Sequence, residues 1–356
     1  MGISRPCYTS REDVKAALDV KQTARTDGQV DRAIESASDS IDGGVDRIGG
    51  LLKRRFYPER RVMTFDWPDR NRSWSWRLWL NQHEIISVES ITSGDLTLNA
   101  GEYFLRPDDG PPFTHVEIDL GGPGSFQSGD SHQRSVAITG LYGFSSITAP
   151  AGTLTAGVDA VQTSVPVSDS AAVGVGDVVL TGGERMLVTD KAMVDTGQDL
   201  AADLAVSTAA VAVAVSDGAA FGVGETILLD AERMLIVDIA GNTLIVKRGW
   251  DGSVLAAHTT GADVYAPRTL TVTRGALGTT AAAHSSGAGV SRQVWPALVQ
   301  ELATAEALNT LLQRQSGYAR TVGSGEGERE ATGAGLAAIR ELAYAAYGRK
   351  ARKRAV

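Results

Sequence analysis

Histidines are the residues of this sequence best suited to metal binding or to proton transfer near neutral pH. The sequence has five of them: His83, His115, His132, His258 and His284. None follows the HExxH or HxxH spacing that places two imidazoles on one face of a helix. His258 and His284 each end an Ala-Ala-His sequence at equivalent positions of an internal repeat, which indicates a requirement of the fold. The histidines therefore predict no metal site.

Two Glu-Arg pairs, Glu184-Arg185 and Glu232-Arg233, recur at equivalent positions of the same repeat. Paired charges of this kind either grip a partner or form an ion pair or a turn hydrogen bond inside each repeat. We favour the second alternative, because a residue that recurs with its repeat is first of all part of the repeat's own fold.

Motifs for nucleotide binding or nucleophilic catalysis are not found in the sequence. It contains no P-loop, no GxGxxG segment between a strand and a helix, and no GxSxG elbow. Its single cysteine, Cys7, excludes an intrachain disulfide and a cysteine-based zinc site. We therefore predict no catalytic residue, no cofactor and no metal, in a protein that is not an enzyme. A cell-wall hydrolase is the enzymatic alternative, and it would need a pair of carboxylates.

Three tryptophans, Trp74, Trp76 and Trp79, lie close together in a segment of alternating polar and apolar residues. Aromatic rings in such an arrangement can stack on bases or sugars. The favoured alternative is packing of a half-buried strand, with Trp79 on the opposite face from the other two.

The chain has 356 residues and a formal net charge of −8, which argues against a general nucleic-acid binder. No run of about 18 apolar residues is present to span a bilayer, so a soluble protein made in a cytoplasm is expected. The C-terminal segment is nevertheless basic, and its cations are Arg349, Lys350, Arg352, Lys353 and Arg354. Such a run can bind DNA phosphates or an acidic protein surface, or can only aid solubility.

Helical periodicity dominates both ends of the chain. A capping box at Thr9 and Glu12 predicts a first helix, and apolar residues every three or four positions predict a long helix over 27–55. Further helices are predicted after Pro296 and over 336–347. The long helix would contain four glycines: Gly43, Gly44, Gly49 and Gly50. Because glycine permits close approach, we predict that they pack against a neighbouring subunit; the alternative is a helix in the core of one subunit.

The middle of the chain is predicted to be β-structure. Residues 61–145 alternate with a period of two between turn-rich stretches, which predicts a small antiparallel region of about five strands. Residues 165–190 and 213–238 then match each other at 15 of 26 positions. A second pair of segments, 243–264 and 269–290, is identical at 12 of 22 positions. The chain therefore contains two copies of one β-module.

The order of the matching segments predicts that one module is nested in the other. A simple tandem repeat would give equal offsets, but the first pair is offset by 48 residues and the second by 26. We therefore assign an outer module to 156–191 and 269–292, and a nested module to 205–267. Since insertions are tolerated best at exposed loop tips, the modules at 151–292 are expected to project as an arm. The predicted domains are 1–150, 151–292 and 293–356.

Several segments together resemble the head-tail connector (adaptor) proteins of long-tailed bacteriophages. They are YTSREDV (8–14), the helix that ends in LLKRRFYP (51–58), the strand SVAITGLYGF (135–144), and the helix after Trp295-Pro296. The resemblance covers about 1–150 and 295–356. We therefore expect an α+β fold, in which a helical connector core made of the N-terminal and C-terminal helices carries a small antiparallel β-region and an inserted, nested pair of all-β modules.

The resemblance implies a virion structural protein with no turnover. Members of this family form a ring, typically dodecameric, beneath the portal protein, and join it to the next neck or tail-completion protein. The ring surrounds the channel through which genomic DNA passes without sequence-specific binding. The implied location is the head-tail interface of a virion assembled in the host cytoplasm, with no membrane partner.

The resemblance also implies a role for the C-terminal segment, which commonly reaches the portal in this family. On that basis the portal-binding residues are Tyr344, Tyr347, Arg349, Lys350, Arg352, Lys353 and Arg354, carried on a flexible linker over 317–335. The family is usually much shorter than this chain, so the modules at 151–290 are extra. A decoration or receptor-binding protein that uses these modules is the alternative function.

Overall fold

The computed structural model describes residues 2–18, 27–45, 47–68, 74–315, 321–322, 329–330 and 334–350. The fold is mixed α+β, with large antiparallel sheets and helices that lie toward the two ends of the chain. The helices are α1 (Arg11–Leu18), α2 (Asp27–Asp42), α3 (Ala297–Gln315) and α4 (Ala334–Tyr347). Among the described residues, no helix combines the length and apolarity needed to cross a membrane. Most of the predicted linker 317–335 lies outside the described residues.

The chain forms two compact units, each built from separated segments. Unit 1 contains Met1–Asp39, Thr148–Ala276 and Thr280–Ala343. Unit 2 contains Ser40–Ile147, Leu277–Thr279 and Tyr344–Val356. The sequence-based division at 150 and 292 partitions the chain differently and stays a prediction.

Unit 2 contains two antiparallel sheets. Its strands are β1 (Glu59–Phe65), β2 (Arg77–Trp79), β3 (Ile85–Ser93), β4 (Leu96–Leu98), β5 (Tyr103–Arg106), β6 (His115–Ile118) and β7 (Val136–Tyr142). One sheet has the order β1-β7-β3-β4 and the other β2-β6-β5. Every second residue of β7 is buried, as the period of two requires. Those residues join one apolar core with Leu80, Ile85 and Val116.

The prediction of a helix over 27–55 is wrong, because α2 ends at Asp42. Gly43 and Gly50 have φ angles of 89° and 63°, in the left-handed region that other residues seldom adopt. The N–H of Gly49 donates to the carbonyl of Asp42 at 2.6 Å, and a Cβ on Gly43 would lie 2.5 Å from the backbone of Gly49. The glycines thus close a tight loop at the end of the helix.

The loop removes the helix on which the predicted packing of the glycines against a neighbouring subunit was based. Gly44 also has a positive φ, of 92°, and its N–H donates to Oδ1 of Asp42 at 2.9 Å. The four glycines therefore do not form a helical face, and a positive φ accounts for the residue type of Gly43, Gly44 and Gly50. A contact between them and a neighbouring subunit stays a prediction without that face as its basis.

Unit 1 is built around a ten-stranded sheet. Its strands are β8 (Thr148–Thr153), β9 (Ser164–Pro166), β10 (Val178–Thr181), β11 (Glu184–Asp199), β12 (Ala212–Ala214), β13 (Thr226–Leu229), β14 (Glu232–Ala240), β15 (Thr243–Lys247), β16 (Asp263–Thr273) and β17 (Gly289–Gln293). The order is β12-β15-β14-β13-β16-β11-β10-β17-β8, and β9 pairs with β16. Two short strands, β18 (Thr321–Val322) and β19 (Arg329–Glu330), form a separate hairpin.

The strand pairings of the two modules correspond one to one. In the outer module β9 pairs with β16 and β10 with β11, whereas in the nested module β12 pairs with β15 and β13 with β14. The long strands β11 and β16 lie at the junction of the two modules and pair with each other from Leu187–Thr273 to Asp199–Asp263. The nested module therefore leaves and rejoins the outer one along a single strand pair, as the offsets of the repeat indicate.

The outer module does not project as a free arm from the N-terminal segment, so that expectation is wrong. The N–H groups of Cys7 and Arg11 donate to the carbonyls of Gly176 and Val175 at 2.9 and 3.0 Å. The N–H of Val175 donates in turn to the carboxylate of Glu12 at 2.8 Å. A Cβ on Gly174 would lie 2.3 Å from Cβ of Ser10. The module is packed directly against the start of α1.

Candidate functional site

The outer module encloses a buried carboxylate, Glu184, whose side chain is 1% exposed. Arg274 Nε and Nη2 donate to its two oxygens, each at 2.8 Å. His284 Nε2 lies 2.8 Å from Oε2, and the N–H groups of Gly275 and Ala282 donate at 2.9 and 3.1 Å. The partner of Glu184 in the module is therefore Arg274 from the second half of the repeat, an ion pair that the sequence argument does not identify.

The nested module contains the same arrangement around Glu232, whose side chain is completely buried. Arg248 donates to its two oxygens at 2.7 and 2.8 Å, and His258 Nε2 lies 3.0 Å away. The N–H groups of Gly249 and Ala256 donate at 2.8 and 3.0 Å. We call these two arrangements the outer cage and the nested cage.

The electrostatics of both cages favour an ionised carboxylate. Burial alone would raise the pKa of Glu184 and of Glu232, but hydrogen bonds from arginine, histidine and backbone N–H groups lower each to about 2. A carboxylate with a pKa this low is a poor proton acceptor near neutral pH. The cages therefore fix the fold of each module, and their carboxylates are unsuited to act as general bases.

The predicted portal-binding residues divide into two groups. The ring of Tyr347 packs edge-on against Phe56 and Phe144, with centroids 6.0 and 5.7 Å apart. The N–H of Arg349 donates to the carbonyl of Leu52 at 3.0 Å. These two residues are thus held by their own unit, and those with exposed surface are Tyr344 and Lys350. Arg352, Lys353 and Arg354 lie outside the described residues.

The tryptophans of 74–79 form a stack on the surface of unit 2. Trp74 is 66% exposed, and its ring is inclined by 23° to that of Trp76, with centroids 6.4 Å apart. The guanidinium of Arg77 sits 4.7 Å above Trp76, and Trp79 stacks on His115 at 4.1 Å. Trp76 packs against the core, but Trp74 does not, so core packing explains only part of this cluster.

A charged cleft of ≈ 300 Å³ lies in unit 1 beside α1. Arg11 binds Asp31 through two hydrogen bonds of 2.8 Å and reaches Asp190 at 2.9 Å. Lys15 is 2.7 Å from Asp251. Sequence reasoning missed this cleft because Asp190 and Asp251 come from strands and turns more than 170 residues further along the chain. Each of the four cations that line the cleft is paired with a carboxylate, and the lining carboxylates outnumber the cations six to four.

The described residues contain no group of three histidine, cysteine, aspartate or glutamate side chains arranged to hold a metal ion. The single cysteine, Cys7, is completely buried, and burial strongly raises the pKa of its thiol. Comparison of the chain with protein-family models, with curated proteins and with solved structures gave no match.

Proposed function

We propose that this protein is a virion structural protein that forms a ring beneath the portal and joins the capsid vertex to the next neck or tail-completion protein. The observation that carries the proposal is the packing of the N-terminal segment against the start of α3. Tyr8 and Trp295 meet edge to face at 5.4 Å, and the hydroxyls of Thr9 and Thr304 are 2.8 Å apart. The N-terminal segment and the helix after Trp295 both resemble segments of connector proteins. The β-modules lie between these two segments in the sequence.

A second cluster within unit 2 supports the same proposal. Phe56 lies in LLKRRFYP and Phe144 in GLYGF, and their centroids are 5.2 Å apart. Tyr347 at the end of α4 completes this aromatic cluster. Two of the segments that resemble the family thus form one packed cluster, and α4 ends on it. Tyr347 is therefore held in place by Phe56 and Phe144, and a fixed starting point of this kind suits a segment that reaches a partner.

The net charge of −8 also agrees with a channel protein. A basic lumen would bind DNA phosphates and release counterions, and would hold the DNA that has to pass. Closure into a ring needs a heterologous interface, in which two different surfaces of the subunit meet. In this proposal the acidic body of the ring lets DNA pass, and the basic C-terminal segment binds the portal.

The test combines mass photometry with cross-linking to the portal protein of the same virion. The wild-type chain should form closed rings with the portal, and Lys350 should cross-link to it. Reversal of charge at Arg352, Lys353 and Arg354 to Glu should weaken that binding at least tenfold. A matched control reverses three exposed arginines elsewhere, Arg60, Arg134 and Arg233, and should bind as the wild type does. Equal losses in both variants, or no ring with portal, would exclude the proposal.

Deletion of the nested module separates this proposal from a decoration or receptor-binding function. Asp199 and Asp263 are paired in register, so a short turn between them can replace the module with little disturbance of the sheet. An adaptor should keep its affinity for the portal after this deletion. A protein that binds a surface through its modules should lose its partner instead.

A further inference from the structure

The smaller sheet of unit 2, β2-β6-β5, has one face in the core and one face outside it. Leu78, Val116 and Leu105 are paired across the three strands and pack into the core. Since side chains alternate along a strand, the residues on either side of these three point away from that core. They are Arg77, Trp79, Phe104, Arg106, His115 and Glu117. Together with Trp74, which precedes β2, we call this surface the aromatic face.

The arginines of the aromatic face lie against aromatic rings. The guanidinium carbon of Arg77 is 4.7 Å from the ring centroid of Trp76 and 5.9 Å from that of Trp79. The guanidinium carbon of Arg106 is 5.4 Å from the ring centroid of Phe104. These distances are those of cation–π contacts, so planar polar groups and planar apolar groups lie side by side on this surface.

Two aromatic rings of this surface are exposed. Trp74 is 66% exposed and Phe104 is 48% exposed. The N–H of Arg77 donates to the carbonyl of Trp74 at 2.9 Å, which keeps Trp74 beside the start of β2. Phe104 lies two strands away on β5, at a distance of about 10 Å across the sheet. Exposed apolar surface of this kind marks an interaction site.

The positive charges of the aromatic face are compensated within it. Glu117 accepts from Nε of Arg77 at 2.7 Å and from Nε of Arg106 at 3.1 Å, and Arg106 also pairs with Asp108. Burial lowers the pKa of His115, although Glu117 opposes this effect, so its imidazole is neutral at pH 7. Within the described part of the chain, this surface therefore has no excess positive charge that would attract a phosphate chain.

The same side chains keep hydrogen-bonding capacity toward solvent. A guanidinium has five N–H groups, and Arg106 uses Nε and Nη1 for its two carboxylate partners. Its Nη2 has no partner among the described residues, and its side chain is 29% exposed. Because the carboxylates already fix its orientation, a ligand that accepts from this group costs little additional side-chain entropy.

An uncharged saccharide matches these features. The C–H bonds on one face of a sugar ring are weakly positive and pack against the negative face of an aromatic ring. The hydroxyl groups of the sugar accept from a guanidinium and donate to a carboxylate. Single-stranded nucleic acid also stacks on aromatic rings, but its affinity depends on cations that are available to phosphates. The paired arginines of this surface do not provide them.

We propose that the aromatic face binds an uncharged oligosaccharide. Trp74 and Phe104 stack on sugar rings, and Arg106 donates to hydroxyl groups between them. The proposal does not rest on the adaptor function, because it involves neither the C-terminal segment nor the β-modules.

The experiment applies the full chain to an array of printed neutral and acidic oligosaccharides. Isothermal titration calorimetry then measures the neutral oligosaccharide that is bound most strongly. The wild-type Kd should change by less than about twofold between about 50 and about 500 mM NaCl, because no counterions are released. Trp74→Ala should raise the Kd about tenfold, and Phe104→Ala should raise it less. Val62→Ala truncates a side chain of β1 that is 65% exposed, and should bind as the wild type does.

Two results would overturn the proposal: no binding of a neutral oligosaccharide by the wild-type chain, or unchanged affinity in both Trp74→Ala and Phe104→Ala. Titration with oligo(dT) tests the competing partner. Binding of oligo(dT) that weakens steeply with salt, without binding of neutral oligosaccharides, would assign the aromatic face to nucleic acid. Trp74→Ala should unfold at the temperature of the wild type, since its ring is mostly exposed. If it does not fold, Phe104→Ala takes its place.

Discussion

The outer and nested modules have the same interior but different surroundings. In each cage the arginine also donates to three backbone carbonyls, in the outer module those of Asp159, Gln162 and Ala282. Arg248 donates to the carbonyls of Ala205, Ala210 and Ala256 in the nested module. The buried Glu-Arg-His group therefore defines the module, because it closes the loops around one ion pair.

The modules differ where each meets the rest of unit 1. Asp177 of the outer module accepts from the N–H of Gly174 at 2.8 Å, beside the start of α1. The equivalent residue of the nested module, Glu225, is bound by Ser170 at 2.6 Å and by Arg268 at 3.1 Å. The same position of the repeat thus makes different contacts in the two modules, whereas the cage makes the same contacts in both.

The largest expected effect is the loss of a cage carboxylate. Glu232→Gln leaves Arg248, whose side chain is 1% exposed, buried without a counter-charge, and should lower the free energy of unfolding by about 3–5 kcal/mol. Glu184→Gln should cost less, since Arg274 and His284 are each 6% exposed. Chemical denaturation measures both losses. A larger loss for Glu184→Gln would show that burial does not set the strength of the cage.

The cages also predict how the modules respond to acid. The pKa values of Glu184 and Glu232 are lowered to about 2 in the folded state, below the usual value of about 4.3. Their contribution is fully present above that usual value and is lost as the pH falls toward 2. The protection of the β14 amides against hydrogen exchange, relative to their intrinsic exchange rates, should therefore fall between pH 4 and pH 2. Glu232→Gln should remove most of that pH-dependent loss of protection in the nested module.

Asp177 should have the opposite dependence on pH. Burial raises its pKa to about 6, with Arg292 and the N–H of Gly174 opposing. The folded state therefore holds a proton that the unfolded state releases near pH 4, and stability falls as the pH rises from about 4 to about 6. Asp177→Asn should raise the free energy of unfolding at pH 8 by about 3 kcal/mol. It should have little effect at pH 4, and a loss at both pH values would contradict this.

A single turn position distinguishes the two cage histidines. Asp230, with a φ of 50°, contacts Nδ1 of His258 at 2.7 Å. Its equivalent is Gly182, where a Cβ would lie 3.2 Å from Nδ1 of His284. Asp230→Gly should cost about 1 kcal/mol through the lost hydrogen bond. Gly182→Asp should recover part of that energy in the outer module, and thermal unfolding of the two variants and their combination measures the exchange.

The sequence was sufficient for the fold class and for the nesting of the modules, because both follow from patterns that any copy of the module must repeat. The unequal offsets of 48 and 26 residues predict that one module is inserted in the other. The structure has this insertion where β11 and β16 pair with each other. The partner of Glu184 could not be predicted in the same way. Arg185 is its neighbour in sequence, but alternation along β11 places adjacent side chains on opposite faces, and the partner comes 90 residues later.

The end of α2 lay beyond sequence reasoning for another reason. Apolar periodicity continues through Val45, Ile48 and Leu52, so the pattern alone cannot distinguish a helix from a tight loop that packs the same residues. The glycines were the available signal, since Gly43 and Gly50 occupy left-handed positions. The contact of Arg349 with the carbonyl of Leu52 was also out of reach, because no local pattern connects such distant positions.

The smallest expected effect concerns the arginine that follows the cage carboxylate in the nested module. The side chain of Arg233 is 46% exposed, and it contacts Asp251 at 3.1 Å. Asp251 also binds Lys15 at 2.7 Å, so it keeps a partner when Arg233 is removed. Arg233→Ala should therefore change the free energy of unfolding by about 0.5 kcal/mol or less. A loss above about 2 kcal/mol in chemical denaturation would show that Arg233 and Lys15 hold Asp251 as one cooperative network.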